Sequence, residues 1–164
     1  IQRLVGSEMC IRDRYIINPK VYAFKGIEIL MPQKFQNSKQ TYIAREDNEG
    51  NKIFAGNTSI DRNFKFKTNN LGKFYEDIDS IAPTIKQLNR KNKISFQIKD
   101  DETGVKKYDV FVNGNWHLFE YEPKRNEIFC SHNCLKVLEK EINIKVVVED
   151  LVGNKKTLKK RLTL

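Results

Sequence analysis

From Tyr15 onward the chain alternates apolar and polar residues with a period of two, and this pattern limits its fold more than any other feature. A strand turns successive side chains to opposite faces, so the pattern describes sheets with one buried and one wet face. Ile142, Ile144, Val146 and Val148 form the cleanest run, closed by Asp150-Leu151-Val152-Gly153-Asn154. Ile94, Phe96 and Ile98 alternate with Ser95 and Gln97, and Tyr108, Val110 and Val112 share a face beyond the turn Asp100 to Gly104. Asn113-Gly114 is the strongest hairpin signal, because both residues tolerate the positive φ of a type I′ turn. Its return strand runs from Trp116 to Tyr121, closed by Glu122-Pro123-Lys124-Arg125-Asn126. A last strand carries Leu158, Leu162 and Leu164 opposite Lys159 and Arg161. The one helical stretch expected is Leu135 to Glu141.

The earlier part of the chain follows the same period. Ile27, Ile29 and Met31 share a face and end at Pro32, which cannot donate to a ladder. Tyr42-Ile43-Ala44 and Ile53-Phe54-Ala55 flank a turn-rich stretch, Asp47 to Asn51, with hairpin chemistry. Phe64 and Phe66 alternate with lysines, and Phe74 and Tyr75 follow Gly72. Pro83 biases Ala82 to extended conformations, so residues 80–85 read as a short, stiff crossover between modules. The expected architecture is all-β: tandem β-sandwich modules, a partial one over 15–79 and an immunoglobulin/fibronectin-like one over 86–164. The first reads as cut at its N-terminal side.

Residues 1–14 stand apart. VGSEMCIRDR, Val5 to Arg14, resembles the conceptual translation of a sequencing adapter, so fold reasoning begins at Tyr15. Discounting the segment removes three arginines and two acidic residues, lowering the formal charge from +9 to +8. It also removes Cys10. A length of 164 residues with 31% charged suits one domain or two small ones. No apolar run approaches the roughly 18 residues of a membrane-spanning helix.

The chemistry-bearing residues are few. The two histidines, His117 and His132, sit in no HExxH, HxH or HxxxD spacing, and no phosphate-binding glycine loop is present. No catalytic residue is assigned. Cys130 and Cys134 are either bridged or two free thiols; with His132 they make only a weak zinc signal. Asp100, Asp101, Glu102 and Asp150 follow strands, where carboxylates either gather Ca²⁺ or cap turns, with Gly104 and Gly153 supplying permissive dihedrals. The turn role is favoured. Lys155, Lys156, Lys159, Lys160 and Arg161 form the densest basic cluster, read as a solvated strand face. Attraction to anionic envelope polymers suits these charges better than nucleic acid. Phe64, Phe66, Phe96 and Trp116 are placed at core parity.

Three segments of the second module are distinctive together: Asp100 to Val105, Val112 to Lys124 and Glu149 to Asn154. With Asp79 to Ile85 they resemble the C-terminal region of Bacteroidetes-type envelope peptidases of the LytM/lysostaphin type, metallopeptidase family twenty-three. The resemblance covers nearly all of Tyr15 to Leu164, with the first module similar to the one just upstream. It departs from the usual pattern at Asn115, His117 and the Cys130/Cys134 pair. Pro83, Gly104, Asn113, Gly114, Trp116, Tyr121, Gly153 and Asn154 are expected to be structural. The resemblance implies a non-catalytic accessory region that positions, stabilises or tethers an upstream zinc endopeptidase acting on peptidoglycan. It implies an extracytoplasmic location, and no cofactor in this fragment. An independent adhesion or carbohydrate-binding module of a surface protein is the alternative.

Overall fold

The computed structural model describes residues 14–35, 39–91, 93–131 and 141–163, with backbone alone for 18–24. Every regular element among them is a strand, and none is a helix long and apolar enough to cross a membrane. The protein is all-β, built from antiparallel sheets. The chain divides into two compact units between Ser80 and Ile81.

The first unit has five strands: β1 (Tyr15–Pro32), β2 (Thr41–Glu46), β3 (Lys52–Gly56), β4 (Ser59–Ile60) and β5 (Asn63–Ile78). They form one sheet in the order β1-β5-β2-β3, with β4 also on β5. A single flat sheet has no second layer to bury against, and this one solves the problem by bending. Phe66 and Phe74 lie eight residues apart on β5, a spacing of about 26 Å along a straight strand. Their ring centroids are nevertheless 5.3 Å apart, so β5 folds back on itself. Its partner β1 follows, with register shifts between Ile17 and Tyr22 and between Tyr22 and Ile27. Gly26 and Gly72, at φ +74° and +152°, supply backbone that other residues rarely adopt. The two arms of the bent sheet enclose Ile29, Met31, Ile43, Phe64, Phe66 and Phe74, against which Tyr15 and Ile17 pack. The β2–β3 hairpin closes through Asp47, whose Oδ1 accepts the N–H groups of Glu49 and Asn51 at 2.9 and 2.8 Å. Opposite it, the Glu76 carboxylate accepts the Lys34 N–H at 2.6 Å and pins the segment after β1.

The second unit has eight strands: β6 (Thr84–Arg90), β7 (Lys93–Lys99), β8 (Val105–Val112), β9 (Asn115–His117), β10 (Glu120–Glu122), β11 (Glu127–Ser131), β12 (Glu141–Asp150) and β13 (Lys155–Thr163). One sheet runs β10-β11-β7-β6 and the other β13-β12-β8-β9. Lettered A to G along the chain, with β9 as an added edge strand C′, the sheets read D-E-B-A and G-F-C-C′. That is the strand order of immunoglobulin-type sandwiches. Ile94, Phe96 and Ile98 of β7, with Ile128 and Cys130 of β11, face Val110 and Val112 of β8 and the four apolar residues of β12. Phe119 fills the space beside Phe96, ring centroids 6.3 Å apart. Each fully buried Ile or Phe here contributes about 1.5–3 kcal/mol.

Three boundaries differ from the sequence expectation. The return strand expected over Trp116 to Tyr121 is split, β9 pairing with β8 in one sheet and β10 with β11 in the other. Thr84 and Ile85 pair with Lys99 and Ile98, so the segment expected as a linker over 80–85 enters β6 at Thr84. Pro83 is buried, and the Ile81 carbonyl accepts the Asn154 side-chain amide at 3.4 Å. Glu141, the last residue of the expected helix, opens β12; residues 135–140 lie outside the described residues.

Glu127 sits on the opposite side of β11 from Ile128 and is nearly buried. The Arg90 guanidinium reaches both carboxylate oxygens, at 3.3 and 3.0 Å, and the Ser95 hydroxyl donates to Oε1. The Arg90 bonds first, then the Ser95 bond, hold the carboxyl below its ordinary 4.5. A carboxyl with a depressed folded pKa stabilises the fold above its unfolded pKa and loses that contribution as pH falls through the folded value. Glu127→Gln is therefore expected to cost about 1–3 kcal/mol at pH 7. In urea unfolding across pH, the gap between the two proteins should narrow below about pH 4.5. In the first unit Gly26→Ala should cost about 1–2 kcal/mol, since a β-carbon there meets left-handed backbone and the Asn69 Oδ1 at 2.7 Å.

Candidate functional site

The site is assembled by register. Asn113 and Gly114 take φ +49° and +86°, the paired positive values that a two-residue turn demands. The turn sets Val112 opposite Asn115, Phe111 opposite Trp116 and Val110 opposite His117. Val110 and Val112 point into the core, so Phe111 and Trp116 point out. The adjoining strands continue the row, Phe111 lying opposite Lys145 of β12 and Lys145 opposite Lys159 of β13. Trp116, Phe111, Lys145 and Lys159 thus cross all four strands of one sheet in a line, over about 14 Å.

Trp116 is 57% exposed, which corrects its expected place in the core. Parity counted along β9 alone gives no absolute facing. Counting back across the Asn-Gly turn does, and that signal was present in the sequence. The indole N–H donates to Asp109 Oδ1 at 3.2 Å, which fixes the ring against the face. The Lys145 ammonium lies 5.3 Å from the Phe111 ring centroid, within cation–π range. Beside this pair, Phe111, Gly114, Asn143, Lys145, Lys159 and Arg161 border a depression of about 560 Å³. The turn is tied to its floor in both directions: Asn113 N–H donates to the Asn143 carbonyl at 2.9 Å, and Asn143 N–H to Asn113 Oδ1 at 2.8 Å.

Charge on this sheet is distributed unevenly. Glu149 is surrounded by Lys106, Lys107 and Lys155, each at 3.4 Å. Burial pushes its carboxyl up, but bonds and charge from Lys155 and Lys107 outweigh this and hold it below the usual range. Arg161 pairs with Glu141. Lys145 and Lys159 have no carboxylate partner among the described residues. Two cations without a carboxylate partner, Lys145 and Lys159, therefore continue the row from the aromatics. The outer face of the other sheet is closed by comparison: Arg90, Ser95 and Glu127 interlock, and Lys93 Nζ covers Phe129 at 4.0 Å from its centroid.

Of the four carboxylates named as calcium candidates, Asp100 and Asp150 cap backbone in their own turns. Asp100 Oδ1 accepts the N–H groups of Glu102, Thr103 and Gly104 at 3.2, 2.8 and 2.7 Å. Asp150, fully buried, accepts Val152 and Asn154 N–H at 3.0 and 2.8 Å on Oδ1 and the Asn154 amide at 2.7 Å on Oδ2. Gly104 and Gly153 adopt φ +91° and +97° in these turns. Oxygens of Asp100 and Asp150 come within 4.8 Å of one another, but a calcium ion wants six to eight oxygen ligands. Asp101 is exposed and pairs with Lys99, and Glu102 lies in the same turn. Tyr121 donates its hydroxyl to Asn126 Oδ1 at 3.1 Å, its ring 6.1 Å from that of Tyr108. Cys130 is disulfide-bonded; Cys134 and His132 lie outside the described residues.

No protein-family model matches the chain, and no curated protein is significantly similar to it. Among solved structures it is similar to the Clostridium perfringens spore cortex lytic enzyme SleM, at 19% identity and a TM-score of 0.39. The likeness covers 68% of this chain and 38% of that one, so the chain spans well under half of SleM.

Exposure and burial predict opposite outcomes for two substitutions. Trp116→Ala should change unfolding free energy by no more than about 0.5 kcal/mol. Asp150→Ala, which orphans buried N–H groups, should cost about 2–3 kcal/mol in the same denaturant titration.

Proposed function

We propose that this chain is a non-catalytic accessory region of a cell-wall zinc endopeptidase, binding the bacterial envelope and positioning the peptidase on it. The observation that carries the reading is the outward-facing row of Trp116, half-buried Phe111, Lys145 and Lys159 on the second unit. Strands hold these side chains at fixed spacing, so the face is organised before any ligand arrives. Trp116 stands largely in water beside the half-buried Phe111, which leaves an apolar surface for a ligand to cover, and the adjoining cations suit an anionic polymer.

The accessory role is supported by the same chain's chemistry. Its sequence carries neither HxxxD nor HxH, so the zinc and its water would belong to a domain upstream, which is the expected partner. The region would act outside the cytoplasm, by raising the local concentration of enzyme at its substrate. An independent adhesion or carbohydrate-binding module would use the same face. HxxxD and HxH motifs within a few hundred codons before Tyr15 favour the peptidase; their absence there favours the independent module.

Purified peptidoglycan is expected to sediment the chain at low salt, less so at high salt. Release of new amino groups from the wall by the chain alone should stay at background. A chain left in the supernatant at low salt overturns the envelope-binding role, and release above background overturns the non-catalytic one.

A further inference from the structure

We infer that the row across β9, β8, β12 and β13 is a binding site for an acidic saccharide. The sugar ring lies on Trp116 at the edge of Phe111, and its carboxylate meets Lys145 and Lys159. This rests on the envelope-binding reading and names the ligand class of the same face.

The row has two chemically different ends. At one end Trp116 is an exposed amphipathic ring held by its N–H on Asp109, whose second carboxylate oxygen makes no hydrogen bond among the described residues. A carboxylate beside an aromatic face accepts sugar hydroxyls while the ring packs against the C–H side of the pyranose. At the other end Lys145 and Lys159 are cations without carboxylate partners, and Lys145 is already drawn over Phe111. A ligand that fits must offer hydroxyls at the Asp109 end and negative charge at the lysine end. A saccharide ring bearing a carboxylate does both. A neutral glycan leaves the two cations unanswered. Single-stranded DNA also stacks on aromatics, but its deoxyribose backbone offers no run of hydroxyls for Asp109 to accept.

The protein has a single tryptophan, and it stands in the row, so intrinsic fluorescence reads this site directly. The full chain is titrated with oligogalacturonate, with the same oligomer as its methyl ester, and with a single-stranded oligonucleotide. Oligogalacturonate is expected to shift Trp116 emission saturably and to bind at least tenfold more tightly than the methyl ester. Lys145→Gln/Lys159→Gln should bring the acid down to the ester's affinity with no change in melting temperature. Equal binding of acid and ester, tighter binding of the oligonucleotide, or no emission change with any saccharide each overturns the proposal. Trp116→Ala, followed by sedimentation with peptidoglycan, separates the two readings. If the variant still sediments like wild type, the envelope role stands and this ligand assignment falls. If wild type itself fails to sediment, the envelope role falls, and the oligogalacturonate titration alone decides the ligand.

Discussion

The Asn113-Gly114 turn is the constraint on which the outward face of the second unit depends. Two residues at positive φ leave β9 only one pairing with β8, and that pairing sorts Val110 and Val112 inward and Phe111 and Trp116 outward. One residue more in the loop would reverse the facing of β9. The reciprocal Asn113–Asn143 bonds extend the control to β12, so the register of three strands is locked near one corner. The core beneath and the aromatic row above are two sides of that single choice.

Buried charge in the second unit is handled by local saturation. Asp100 and Asp150 each turn an oxygen onto the N–H groups of their own turn, where the acceptor replaces water that the fold has excluded. Glu127 is held by a guanidinium and a hydroxyl from neighbouring strands. These carboxylates are spent on architecture. Lys145 and Lys159 are the reverse case, cations that the fold leaves without a carboxylate among the described residues.

Much of this was readable from residue order. The alternation of Ile142 to Val148 is a direct image of a strand with one buried face, and Asn113-Gly114 names its own turn. Asp100 and Asp150, each with a glycine three or four residues on, read as turn builders from local chemistry alone. Other features depend on distant partners and escape a local reading. Trp116 lies outward, against its core parity, because alternation gives relative facing and only pairing gives absolute facing. Its partners Lys145 and Lys159 lie 29 and 43 residues further along the chain, so no motif joins them. The bending of β1 and β5 was equally hidden: a glycine inside a strand run looks the same whether the chain turns, bulges or folds over.

That bend alters how the first unit can form. In most sandwiches the contacts between layers join residues far apart in sequence, and closing such long loops slows β proteins. Phe66 and Phe74 meet from opposite arms of one strand, across eight residues. A loop of that size closes on the order of tens of nanoseconds. The layer-to-layer contact of this unit is thus among the cheapest in entropy that the chain can make, and it joins residues of one strand without needing β2 or β3 between them.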